Sequence, residues 1–329
     1  MMKKTNYIFL SAMAIAFASC TSNGNEPEPI VPVEEDQPVE AFALADIEGA
    51  TRMTGTAFAN NDAIGISCTQ NSAGTALADG DLMYNKFLNC KYTFNGTKFT
   101  GADPTNTIFY QNTGTYRFHA YYPYEGSKGA QPTSTVNTAT KQDATTQNAS
   151  LDKLWADGAT GSKATPGIAF TSTNAFKHKM VKLILKITLD ANSGFSGVTS
   201  SFFTNAQVFV NGLKHDGTFA TSTGTAAVNA NATANQNWLI NTTVAANSSD
   251  LTNPVGKQYE LIILPQGATN VTFKVVESGV TYQGTASITP TAGQQITVPI
   301  TLKRTGLVVG TYTISPWGVG SSYTGDAGL

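Results

Sequence analysis

Few residues in this chain have the chemistry of ligands, nucleophiles or acid–base groups. Its three histidines, His119, His178 and His215, stand 59 and 37 residues apart, so none forms a short metal-ligand pair. His119 and His178 fall in strand-like runs, where a hydrogen-bonded structural histidine is the expectation. Ser150-Leu151-Asp152-Lys153 has the Ser-x-x-Lys spacing of penicillin-interacting enzymes, but the partner motifs Ser-Asp-Asn and Lys-Thr-Gly are absent. A Gly-x-Ser-x-Gly elbow and a phosphate-cradling Gly-x4-Gly-Lys-Ser/Thr loop are missing too. Asp79-Gly80-Asp81 offers two carboxylates to calcium, yet the alternating acidic positions of a full loop do not follow, so a turn is expected. Trp155, Trp238 and Trp317 suit either sugar-stacking platforms or a buried core. The expectation is no catalytic residue, no cofactor site and no metal site.

The cysteines are more informative. Lys3 and Lys4 precede an apolar run, Tyr7 to Phe17, that is too short to span a bilayer and has the layout of a secretory signal. The run closes on Phe17-Ala18-Ser19-Cys20, which resembles the lipobox of bacterial lipoproteins. Residues 1–19 are thus expected to be cleaved as a signal peptide, and Cys20 to be the lipidation site. Several acyl chains on one residue anchor firmly, where a single chain binds only marginally. No later segment reaches about 18 consecutive apolar residues. Lipid is the expected tie to the outer membrane. Cys68 and Cys90, each beside or inside a strand-like run, read either as one disulfide formed after export or as two buried thiols.

These groups must be positioned by a chain of unusual composition. Only 13% of residues are charged, about half the usual share. Thr, Asn, Ser, Gly and Ala fill the gap, and most of them suit strands and turns better than helices. Without Lys3 and Lys4, 18 basic residues face 22 acidic ones, a balance that gives no reason to expect nucleic acid as a partner. Residues 20–39 read as an acidic, proline-rich tether, with Pro27, Pro29, Pro32 and Pro38 among carboxylates. At 329 residues, two domains are expected.

Beyond the tether the signals are strands. Asn95-Gly96 and Ser278-Gly279 mark hairpins, and Asn211-Gly212 and Asp216-Gly217 mark turns. Residues 126 to 150, rich in Ser, Thr, Gln, Asn and Gly, read as a long surface loop. Leu183, Leu185, Ile187 and Leu189 alternate as one buried face, leaving Lys182 and Lys186 on the more solvated one. Ile296, Val298, Ile300 and Leu302 repeat the alternation, and Pro299 within that run argues for an edge strand. No helix of 12 residues is evident. Many short strands with regular turn signals specify an all-β sandwich or barrel. The expectation is a sandwich in two copies, residues 40–172 and 173–329.

Several strings from residue 51 onward resemble the fimbrillin family of Bacteroidetes surface lipoproteins. They are Thr51-Arg52 leading into Phe58, Asn61-Asp62-x-Ile64-Gly65-Ile66, and Phe118-x-Ala120-Tyr121-Tyr122-Pro123. Then follow Leu154-Trp155-Ala156, Phe176-x-His178-x-Met180-x-Lys182-Leu183, Ile263-Leu264-Pro265-Gln266 and Ile314-x-x-Trp317-x-x-Gly320. The resemblance implies two transthyretin-like β-sandwich domains in a stalk, tip or anchor subunit. It also implies secretion as a lipoprotein, proteolysis after a basic residue, and polymerisation with like or related subunits by strand exchange. Arg52 is the one basic residue between Lys4 and Lys86, which places the expected cut between Arg52 and Met53. The cut would free a first strand around residues 41–47, to be replaced by a C-terminal donor, Val308 to Trp317. An adhesive role toward a host or glycan ligand is a further expectation. The alternative is a monomeric surface lipoprotein that binds glycans through exposed tryptophans.

Overall fold

Alternating apolar residues build strands through most of the computed structural model, which describes residues 37–48, 58–77, 87–143, 150–317 and 323–325. The regular α-helix among the described residues is a single turn, Phe202–Asn205. The first half supplies β1 (Val39–Glu40), β2 (Phe42–Ala45), β3 (Ala63–Asn71), β4 (Cys90–Phe94), β5 (Phe99–Gly101) and β6 (Phe109–Tyr110). It continues with β7 (Thr115–Tyr122), β8 (Thr133–Asn137), β9 (Leu154–Ser162), β10 (Gly167–Phe170) and β11 (Lys177–His178). Eight of these form one sheet in the order β10-β2-β5-β4-β3-β7-β9-β11. Ile64, Ile66, Tyr92, Phe99, Phe118, Ile168, Phe170 and Phe176 fill its core.

The second half supplies β12 (Val181–Leu189), β13 (Gln207–Asn211), β14 (Asp216–Ala220), β15 (Thr225–Val228), β16 (Asn247–Thr252) and β17 (Val255–Ile263). It ends with β18 (Thr269–Glu277), β19 (Val280–Ile288), β20 (Gln294–Lys303), β21 (Gly306–Val309), β22 (Tyr312–Pro316) and β23 (Tyr323–Gly325). A seven-stranded sheet, β16-β17-β12-β20-β22-β23 with β21 also on β20, packs against the three-stranded β13-β18-β19. Leu183, Leu185 and Ile187 from one sheet meet Val208, Phe273 and Tyr282 from the other in a shared core. That is a sandwich, and the fold is all-β.

Local signals set the hairpins. Asn95-Gly96 turns β4 onto β5 so that Phe94 faces Phe99, with Gly96 at φ 100°. Ser278 and Gly279, both at positive φ, turn β18 onto β19. Leu185 is fully buried in β12, whereas Lys186 is exposed. Leu185→Ala is expected to cost about 2–5 kcal/mol and Lys186→Ala little, read as urea midpoints; equal shifts from both would contradict this packing.

Four expectations are corrected. Lys182 is buried, because its ammonium lies 3.1 Å from the Glu260 carboxylate on the neighbouring strand. Pro299 is in an interior strand: β20 pairs with β12 on one side and with β21 and β22 on the other. It is tolerated because pairing to β22 ends at Thr297 and pairing to β21 starts at Ile300, so the missing N–H falls at the change of partner. Asp216-Gly217 begins β14 rather than a turn, with Gly217 so close to the Ala227 carbonyl that a Cβ would clash. The polar stretch after residue 126 is not a plain surface loop. Its β8 joins β14 and β15 in a further, three-stranded sheet.

Candidate functional site

β2 is held inside the eight-stranded sheet. It runs parallel to β10 from Phe42↔Gly167 through Ala45↔Phe170, and meets β5 at Ala43↔Phe99. The Ala41 N–H donates to the Ile108 carbonyl at 2.8 Å, and the Tyr92 hydroxyl donates to the Ala41 carbonyl at 3.2 Å. Beyond the strand, the Glu48 N–H donates to Phe176 O, and the Phe176 N–H to Asp46 O. Ala41, Ala43 and Ile47 are buried, the two alanines completely. Small side chains are required here because Tyr92, Phe99, Phe170 and Phe176 already crowd the same core.

Arg52, Met53 and Cys20 lie outside the described residues. The segment holding Arg52 is bounded by two anchors, Ile47 and Phe58. The Phe58 ring makes edge contacts with Phe99, Tyr122 and Phe176 at 5.0, 5.7 and 5.4 Å. The expected donor, Val308 to Trp317, lies in its own sheet. β22 is flanked by β20 and β23, with Tyr312 and Trp317 buried.

A third apolar cluster joins the two cores: Tyr121, Val136, Leu151, Met180, Phe219, Ile262, Leu264 and Trp317, with Trp155 against it. Five of these (Tyr121, Trp155, Met180, Leu264 and Trp317) belong to the strings that carry the family resemblance. The strings converge on the joint. At its centre the His178 ring stacks on Trp317 with centroids 4.1 Å apart, and His178 Nδ1–H donates to Asp152 at 2.7 Å. Lys153, its side chain 3% exposed, pairs with Glu125.

The segment after β8 completes the joint. Gln142 is fully buried; its amide donates to Ile262 O at 2.9 Å, and its Oε1 accepts from Ile262 N at 2.7 Å. Because β16 stops at Asn247 opposite Glu260, the Gln142 side chain occupies the next ladder position on β17. Nothing in the polar stretch around it marked this residue. Asn89 was also missed. It is buried at φ 53°, accepts from the Tyr121 hydroxyl at 2.7 Å, and donates to the carbonyls of Glu125 and Ser127.

All three histidines are buried, and His119 and His215 are each pushed down to about 4 by burial. None of the three tryptophans offers an open platform. Trp238 and Trp317 are buried, and the Trp155 ring lies against Gly224 with Lys179 above it, while its Nε1–H donates to Thr221 O. Cys68 and Cys90 are buried thiols on adjacent strands, where Ile66 and not Cys68 opposes Cys90. Burial pushes the Cys90 thiol up to about 11. No helix among the described residues is long and apolar enough to cross a membrane.

An eight-stranded sheet with β2 in its interior, joined by a packed seam to a sandwich, defines an all-β protein. A family model described as fimbrillin-like matches residues 51–317, and the chain belongs to that family. Two solved structures share the fold, each carrying the description "putative cell adhesion protein". The one from Bacteroides ovatus is 22% identical over 87% of this chain and 99% of its own, with a TM-score of 0.64. The one from Bacteroides uniformis is 22% identical over 86% and 98%, with a TM-score of 0.60. No curated protein matches the chain.

Proposed function

We propose that this chain is a structural subunit of a bacterial surface fimbria, in a stalk, tip or anchor role, assembled by exchange of its first strand. The observation that carries the proposal is the interior position of β2 between β10 and β5. Removal of β2 leaves the β10 edge unpaired, takes the partner from Phe99 and Ile108 on the other side, and opens an apolar slot, all of which an extended segment of another subunit satisfies. The isolation of Arg52 supplies the cut, after which residues up to Arg52 leave. Membership of the fimbrillin-like family supports the surface assignment.

The test replaces Arg52 by Ala and, separately, makes Val308→Asp, a change at an exposed residue of the expected donor Val308 to Trp317, with polymers scored by gel and electron microscopy. Val308 is chosen because Tyr312 and Trp317 are core residues of the sandwich, whose loss would unfold the chain itself. Both variants are expected to abolish laddering; full-length filaments from both, where this chain is the main subunit, would sink the assignment of cut and donor.

Anchoring is a separate proposal. Cys20 carries the lipid that ties the exported chain to the outer membrane, through the tether of residues 20–39. A clickable fatty acid fed to cells is expected to label the wild-type chain. Label on Cys20→Ala would rule the site out.

A further inference from the structure

A cleft of about 470 Å³ opens at the joint, where β8 and β14 run beside the Ser150–Lys153 segment. It lies between the two cores, the kind of place where ligand sites concentrate. Its lining has two characters. Val136 and Leu151, both buried, supply apolar surface. Around them stand carboxylate, amide and ammonium groups on Glu125, Asn137, Lys153, Asp216 and Asn229.

The charges select the ligand class. The ammonium of Lys153 is neutralised by Glu125, whose second oxygen accepts from the Ser134 hydroxyl. Asp216 is left as the excess charge, accepting from the Asn137 amide at 2.8 Å. A lining with two carboxylates and one ammonium repels phosphate, sulfate and sialylated ligands, and the buried ammonium opposes a bare metal cation. A ring with an apolar C–H face and hydroxyls at its edge matches both parts of the lining. Carboxylates accept from two hydroxyls at once, and amides both donate and accept. The Ser150-x-x-Lys153 spacing gains a physical reading here: it sets both residues on one wall, with Lys153 committed to Glu125.

We propose that this cleft is a binding site for a neutral saccharide, with Asp216, Asn137 and Asn229 holding hydroxyls over Val136 and Leu151. The proposal does not depend on strand exchange, since a chain that never polymerised would still present the cleft. The mature full-length chain is applied to immobilised neutral oligosaccharides ending in glucose, galactose, mannose or an N-acetylhexosamine, beside sialylated counterparts. At least one neutral glycan is expected to retain the protein. Retention should weaken tenfold or more in the Asp216→Ala/Asn229→Ala double variant, which changes only exposed side chains and should melt like the wild type. Thr135→Trp, which fills the cleft from its exposed rim, should block retention as well. Failure to retain any neutral glycan, retention of sialylated glycans alone, or retention unchanged in both variants would overturn the proposal.

Discussion

Cutting the chain after Arg52 and stripping away the released peptide is expected to unfold the N-terminal core while the C-terminal sandwich stays folded. The cores are separate clusters, one built mostly from residues 41–176 and the other from 181–312, so loss of one need not empty the other. Burial of Ala41, Ala43 and Ile47 is worth on the order of 4 kcal/mol. Each backbone bond that β2 makes adds about 1 kcal/mol. The sum approaches the whole stability of a small domain, about 5 kcal/mol or more, so melting rather than mild loosening is the outcome. A synthetic peptide of residues 37–48 should restore the lost protection from hydrogen exchange, whereas the same peptide with Ala43→Asp should not. Unchanged exchange in β3, β4 and β10 after verified removal of the peptide would show that the first strand is dispensable.

Acid should destabilise the fold through two buried histidines. Burial holds His119 and His215 neutral, each with a pKa of about 4 against 6.5 in the unfolded chain. The Asp157 charge raises the His119 value and Arg117 lowers it, but burial dominates both. Between pH 6.5 and 4 the unfolded chain therefore binds protons that the folded chain refuses, and stability falls as pH falls through that window. The loss is on the order of 3 kcal/mol per histidine. Asp103 behaves differently. Hydrogen bonds from Thr105 and Asn106 hold it near 2, so its contribution disappears only at lower pH, below the histidine window. Urea titrations at pH 7, 5.5 and 4 should show the decline, and His119→Gln with His215→Gln should flatten it. Identical midpoints at pH 7 and 4 in the wild type would refute the account.

Much of the fold was legible because it is local. Asn95-Gly96 and Ser278-Gly279 dictate hairpins through backbone conformations those residues accept easily, β20 announces its buried face by strict alternation, and β12 does so apart from Ile184 and Lys182, which are buried on its second face. The errors share a cause: each residue is decided by a distant partner. Lys182 reads as solvated until Glu260 arrives on β17. Pro299 reads as an edge residue until two successive partner strands are seen to change over at its position. Gln142 is indistinguishable from its polar neighbours, and only the vacant ladder position beside Ile262 gives it a role. The candidate site divides in the same way. The first strand and Arg52 were visible as an apolar run and an isolated cation. The cleft was not, since Asp216 and Asn137, 79 positions apart, meet only once the chain between them has folded.

The crossing of β8 into the second half also fixes how a polymer of such subunits would look. Pairing of residues 133–137 with β14, continued by the Gln142 amide on β17, ties the two cores together at a second place along the chain. A chain of identical head-to-tail contacts repeats one rotation and one translation at every step. With the two cores tied in this way, that operation would be the same throughout. The resulting filament would be a stiff helix of constant pitch, and its bending would fall at the contacts between subunits rather than within them.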